Sequence, residues 1–266
     1  MLGLTLFIFI LGLVFGSFLN VVIYRTTHGT SPLAGRSQCP KCKKTISWKH
    51  NIPLISFFIL HGRCANCKTK ISWQYPVVEL LTGLLFVWWF FIGRSFFLLV
   101  DQPWTLLQPA FWLAVGMILL VIFVADWRFG LIPDSANLAL FVLALGYRLS
   151  LVSFGLMESP DLVRAIICGL ALMAFFYGLW FFTRGRGFGF GDVKLAPALG
   201  LLLGWPKTLV AVFLAFIIGA IVAVVLMALG KKKLGQTIPF GPFLVIGTLA
   251  ALVWGGMLWG WYFGQL

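Results

Sequence analysis

Eight apolar runs set the terms for this chain. They lie near residues 4–24, 76–92, 96–125, 135–152, 162–182, 190–204, 207–229 and 238–263, separated by polar or Pro/Gly-bearing breaks. A helix needs roughly 20 mostly apolar residues to cross a bilayer, and a backbone in lipid must satisfy its own hydrogen bonds. Runs of this kind therefore predict spanning helices. Composition agrees, because only 10% of the 266 residues are charged and 61% are hydrophobic, whereas a soluble domain carries about 25% charged residues. Such a chain cannot cover a globule with polar surface, which excludes a soluble enzyme. The expected fold is an all-α polytopic membrane protein with about eight transmembrane helices. The third run contains Pro103 and Pro109, so an interfacial turn is expected first and a span from Pro109 to Ala125. Met1–Leu4 lacks a basic stretch and no small-residue cleavage site follows, so Leu4–Tyr24 is read as a retained span rather than a secretory signal.

The basic residues orient the helices. With the 25–75 loop placed in the cytoplasm, sixteen Lys and Arg fall on that side and four on the other: Arg94, Arg148, Arg164 and Lys207. The positive-inside rule then puts the N-terminus outside and the 25–75 loop in the cytoplasm. The short 190–204 run carries Asp192 and Lys194. It must cross if Lys231–Lys233 are to stay on the cytoplasmic side. The expected division is a first transmembrane helix at 1–24, a cytoplasmic cysteine domain at 25–75, and a transmembrane domain at 76–266. No internal repeat is expected. The Gly12/Gly16, Gly200/Gly204 and Gly256/Gly260 pairs read as close helix packing.

Cys39-Pro-Lys-Cys42 and Cys64-Ala-Asn-Cys67 are two CxxC knuckles. Each places two sulfurs on one tight turn, and two such turns supply the four thiolates of a tetrahedral zinc site. Flanking Lys and Arg favour the thiolate form. The rival is a pair of disulfides or a redox dithiol, against which a reducing cytosol weighs. A metal with four cysteine ligands has no open position and is structural. Cys168 lies inside a run and reads as a small packing residue.

The acidic residues are Glu79, Asp101, Asp126, Asp134, Glu158, Asp161 and Asp192. Asp101, Glu158 and Asp161 fall in outside loops and read as solvated charge. Glu79 would pair with a cytoplasmic cation or contact a substrate. Asp134, behind Ile132-Pro133, is placed as a helix N-cap. Asp126 ends an apolar stretch, where its own helix dipole disfavours a negative charge. Asp192 opens the next cytoplasmic-side helix behind Gly189-Phe190-Gly191, where free N–H groups favour an anion. Two carboxyls on one face, in environments that push their pKa values apart, are what an acid/base dyad requires. The plain alternative pairs each with Arg128 or Lys194. Gly185, Gly187, Gly189 and Gly191 form a glycine-rich hinge, giving flexibility near Asp192 and room for a substrate backbone.

These residues carry a resemblance. The chain resembles the type IV prepilin peptidases, bacterial inner-membrane enzymes of the GxGD aspartic protease group. The stretches concerned are Gly16-Ser17-Phe18-Leu19-Asn20 through Arg25, Arg36 through Cys39, Asn51-Ile52-Pro53, Gly62-Arg63-Cys64, and Tyr75-Pro76 to Glu79. Asp126 with Ile132-Pro133-Asp134, Gly189 through Lys194, and Ile238 through Phe243 complete it. After Arg25 the family often continues Leu-Pro, where this chain has Thr26-Thr27-His28-Gly29.

The resemblance implies cleavage of a short basic leader from prepilins and pseudopilins, serving type IV pili or type II secretion. It further implies methylation of the new N-terminal amine with S-adenosylmethionine as donor. Asp126 and Asp192 take the catalytic places, and Cys39, Cys42, Cys64 and Cys67 those of the zinc ligands. Glu79, Lys194, Gly189 and Gly191 are expected to support the site or contact substrate. No nucleic-acid partner is expected; the partners are the substrates and the lipid bilayer. The competing functions are a membrane-anchored zinc module that recruits a partner without catalysis, and a transporter. The first gives no reason for Asp126 at a helix C-terminus, and transporters tend to hold such charges nearer the midplane.

Overall fold

A computed structural model describes residues 2–32, 34–93, 104–233 and 236–264. Arg94, Asp101 and Pro103 lie outside the described residues. Among those described there is no strand, and seven helices are long and apolar enough to cross a membrane. The chain divides into two units, Met1–Met117 and Ile118–Leu266.

In the first unit, α1 (Leu2–Thr27) packs against α3 (Gln74–Trp88), which runs on into a π-helical turn at Trp89–Gly93. Glycine makes the contact close. A Cβ on Gly12 would stand 2.7 Å from Gly83 Cα, and one on Gly16 would stand 2.6 Å from Glu79 Cα. Asn20 ties the pair by donating from Nδ2 to the Tyr75 carbonyl at 3.0 Å. Beyond α1 the Arg25 guanidinium donates to the carbonyls of Ser31, Pro32, Ala34, Gly35 and Arg36, so it winds the following loop about itself. These contacts hold the exit of Thr26-Thr27-His28-Gly29 from the helix.

Between α1 and α3 the two CxxC turns are built alike. Cys39 N–H donates to Lys44 O and Lys43 N–H to Cys39 O, just as Cys64 N–H donates to Thr69 O and Lys68 N–H to Cys64 O. Lys43 and Lys68 both take positive φ, 57° and 56°. Isolated bridges join Gln38 to Thr45 and Arg63 to Lys70. The sequence repeats with the geometry, since residues 37–48 and 62–73 share both cysteines, the Lys after the second, and a closing Ile-Ser-Trp. The expectation of no repeat is therefore corrected: this one is too short to stand out among apolar runs. The segment between the knuckles carries a short helix, α2 (Ile55–Ile59).

Helix α4 (Trp104–Phe129) contains Pro109 within its second turn rather than starting there, so the expected interfacial turn is helical from Trp104 onward. It leads to the second unit, where α5 (Asp134–Ser153), α6 (Ser159–Phe182), α7 (Phe190–Leu203), α8 (Lys207–Ala228) and α9 (Gly241–Phe263) follow. At about 1.5 Å per residue α7 is shorter than a bilayer core of about 30 Å. It is wrapped by α5, α6, α8 and α9 instead, and ten of its fourteen residues are buried. Lys194 meets Asp134 at one end of α5, while Arg148 near the other end donates to the carbonyls of Leu201 and Leu202. Hence α7 runs parallel to α5, and a helix walled by protein need not match lipid thickness. Of the small-residue pairs, Gly200 sits so near Gly169 that its Cβ would lie 2.3 Å from that Cα, whereas a Cβ on Gly256 or Gly260 would meet no described neighbour within 4 Å beyond its own helix turns.

Candidate active site

The second unit brings Asp126 and Asp192 to one place. Asp126, in the last turn of α4, is 6% exposed, and Asp192, in the first turn of α7, is 4% exposed. The two carboxyls interact electrostatically. Asp126 Oδ2 accepts the Gly241 N–H at 2.9 Å, and that amide is one of the free donors at the start of α9. Asp192 Oδ2 accepts the Gly189 N–H at 3.2 Å, reaching back over its own helix start, which is half of a capping box. Its Oδ1 is buried with no partner among the described residues. The opposed environments expected for the two aspartates are thus corrected. Asp126 does end its own helix, but a second helix presents its positive end to it, and both carboxyls are held by helix-start amides.

Two further residues set this arrangement. Gly241 must lack a side chain, because a Cβ there would stand 2.6 Å from Asp126 Oδ2. Ile132, itself buried, wedges between the two loops: its side chain would lie 3.2 Å from a Cβ on either Gly191 or Gly241. So the space beside Gly191 is filled by this chain's own isoleucine. The glycine-rich loop is also pinned, since Phe188 packs at ring-centroid distances of 6.0, 5.8 and 5.2 Å against Phe176, Phe216 and Phe240. Sequence reasoning missed Gly241, Ile132 and Phe188. Gly241 opens a helix ahead of Pro242, a readable start signal, yet nothing in spacing links it to an aspartate 115 residues away.

Lys194 neutralises neither site carboxyl in the way the sequence allowed. Its Nζ lies 2.8 Å from Asp134 Oδ1 and 5.6 Å over the Phe190 ring. Asp134 correspondingly is not an N-cap: Pro133 occupies that position, and Asp134 is the first helical residue of α5. Gly189 is the N-cap of α7 with ordinary extended backbone. In the first unit Glu79 is buried and pairs with no cation among the described residues; its Oε2 accepts the Leu54 N–H at 2.8 Å, and Ser17 hydrogen-bonds to it as well.

The four knuckle sulfurs lie within 4.8 Å of one another, and all five cysteines of the chain are free thiols. A tetrahedral zinc with bonds of about 2.3 Å sets its sulfurs about 3.8 Å apart, and Cys39 Sγ stands 3.8 Å from Cys67 Sγ. A disulfide needs about 2.05 Å. The amides of Cys67 and then Asn66 hydrogen-bond the Cys64 sulfur and lower its thiol to about 6. The donor set and its preformed turns fit zinc, and Cys39, Cys42, Cys64 and Cys67 would hold it.

The fold is that of a polytopic helical membrane protein, and comparison with known proteins says which. Residues 10–92 match the Bacterial Peptidase A24 N-terminal domain and residues 113–224 match the Type IV leader peptidase family. Several relatives bear the name prepilin leader peptidase/N-methyltransferase. The chain is 35% identical to that of Stutzerimonas stutzeri (97% of this chain, 93% of the relative). It is 34% identical to that of Pseudomonas aeruginosa (97% and 92%), and 32% to that of Aeromonas salmonicida (97% and 94%). The chain belongs to the type IV leader peptidase family. No solved structure matches it.

Proposed function

We propose that this protein is a membrane-embedded aspartic endopeptidase. It removes the basic leader from type IV prepilins and pseudopilins at the cytoplasmic face of the bacterial inner membrane, and then methylates the new N-terminus. The observation that carries the reading is the pair of buried carboxyls, Asp126 and Asp192, each fixed by a backbone amide and within electrostatic reach of the other. The dyad shares one proton. The protonated carboxyl polarises the scissile carbonyl and the ionised one takes a proton from the attacking water, without a covalent intermediate. The unpartnered Asp192 Oδ1 is free for that water or for the carbonyl.

Burial of both aspartates keeps bulk water from competing, and the apolar helix of a pilin precursor approaches through the bilayer. Cys39, Cys42, Cys64 and Cys67 serve as the structural zinc ligands, Glu79 and Lys194 as supports, and Gly189 and Gly191 as backbone placing Asp192. The names of the relatives support the methyl-transfer half, with S-adenosylmethionine supplying the methyl group. The sixteen-to-four split of basic residues supports a periplasmic N-terminus and cytoplasmic cysteine domain and aspartates. The domain limits 1–24, 25–75 and 76–266 follow the same reading.

The test is purified protein in detergent with a prepilin-like precursor and labelled S-adenosylmethionine, without gradient or partner. The parent cleaves and labels the product. Asp126→Asn and Asp192→Asn each lose about a thousandfold or more in cleavage rate. Normal processing by both variants would sink the assignment, and absence of cleavage by the parent would favour a non-catalytic zinc module.

A further inference from the structure

The helix between the two knuckles faces the wrong way for a water-soluble domain. In α2 the residues at i, i+3 and i+4, which share one helical face, are Ile55, Phe58 and Ile59, and they are 54%, 62% and 67% exposed. The other side turns inward. Ser56 is buried, accepting from Ile52 N–H and donating to Lys49 O, and Phe57 packs on Trp73 at 4.8 Å between ring centroids. An apolar face held outward by a polar anchor is the reverse of what burial in water selects.

Its depth is fixed by one hydrogen bond. Leu54, the residue before α2, donates its N–H to Glu79. Glu79 lies five residues into α3, about 8 Å along the helix axis. Helix α3 opens a candidate membrane span, Gln74–Phe91. Interfacial helices bury their apolar face about 5–10 Å into the headgroup and acyl boundary, so α2 is tethered at that level. Its charge surroundings match. Residues 25–75 hold nine Lys and Arg and no Asp or Glu. An open cavity of about 570 Å³ adjoins the apolar face, where Phe58 and Trp73 line it together with His61, Arg63 and Lys70.

We propose that the cysteine domain docks on the membrane surface: Ile55, Phe58 and Ile59 enter the near leaflet while Arg63 and Lys70 take the phosphate of an anionic phospholipid. Anionic lipid is the occupant the charges select, because a cavity lined by Arg63 and Lys70 repels a basic peptide and attracts a phosphodiester, and Trp73 sits where aromatic rings meet headgroups. The proposal goes beyond peptide cleavage and does not depend on it.

The test is hydrogen exchange on the full-length, zinc-loaded protein in nanodiscs of phosphatidylcholine alone or mixed with phosphatidylglycerol. Amides of residues 55–63 should exchange about twenty-five-fold more slowly in the anionic discs, as expected from roughly fivefold for each of the two cations. High salt should reverse that slowing, a check that needs no variant. Arg63→Gln/Lys70→Gln should abolish the lipid dependence while keeping the parent's zinc content, and Phe58→Ser/Ile59→Ser should lose protection in both lipids. Equal protection in neutral and anionic discs, or a salt-insensitive effect, overturns the headgroup assignment. The same slowing in detergent with soluble glycerol phosphate overturns membrane docking in favour of a free phosphoester site.

Discussion

Asp126 and Gly241 act as a single unit, because the carboxylate occupies the volume a side chain on residue 241 would need. Gly241→Ala should push the carboxyl off its amide partner and cut the cleavage rate about a hundredfold, as a displacement of about 1 Å does in a positioned site. Steady-state cleavage in detergent would read it, and a rate close to the parent's would show that Asp126 does not depend on this contact. The Lys194–Asp134 pair behaves differently. Both side chains are exposed, 43% and 74%, so solvent screens them and the pair contributes no more than about 1 kcal/mol. A double-mutant cycle with Lys194→Met and Asp134→Asn, followed by thermal unfolding, should return a coupling at or below that value.

Among the elements, α7 bears the greatest constraint. Its first turn carries Asp192, its middle touches Gly169 of α6, and its final carbonyls receive the Arg148 guanidinium. The cation at the C-terminal end is favourable to the helix dipole and satisfies carbonyls that would otherwise be buried unpaired. The loop that feeds α7 is held by Phe188, whose ring meets α6, α8 and the residue just before α9. Phe188→Ala should lower stability by about 3 kcal/mol, the cost of a large-to-small change in a packed site. It should also slow cleavage, since the ring contacts Phe240 beside Gly241. Phe188→Leu should recover most of both, and thermal unfolding with parallel rate measurement separates the two effects. A freely hinging loop would tolerate the alanine.

At the scale of the molecule, the chain combines spanning helices with a small domain that is too short to hold itself by apolar burial. Four sulfurs on two copies of one turn take over that role. One zinc per chain is expected by elemental analysis, and none after Cys42→Ser/Cys67→Ser. Removing the metal should open residues 37–73 to protease while helical content measured by circular dichroism stays near the parent's. A metal-free protein equally resistant to cleavage in that stretch would make the zinc dispensable.

Long apolar runs dictate helices wherever lipid is the solvent, because an unpaired amide there has no water to turn to. For that reason most of the span positions and the two cysteine knuckles were legible from the order of residues, and the same order marked both aspartates as candidates. Partners distant along the chain were not. That Asp126 answers to Gly241, Lys194 to Asp134, Arg148 to the end of α7 and Glu79 to the amide of Leu54 depends on which helices lie side by side. The repeat of the knuckles was present in the letters but visible only once matching hydrogen bonds drew attention to it. Local sequence specifies local backbone, since its forces act over a few residues. Only close packing decides which distant group fills a given space, and in this protein it sets two carboxyls against each other with helix-start amides behind them.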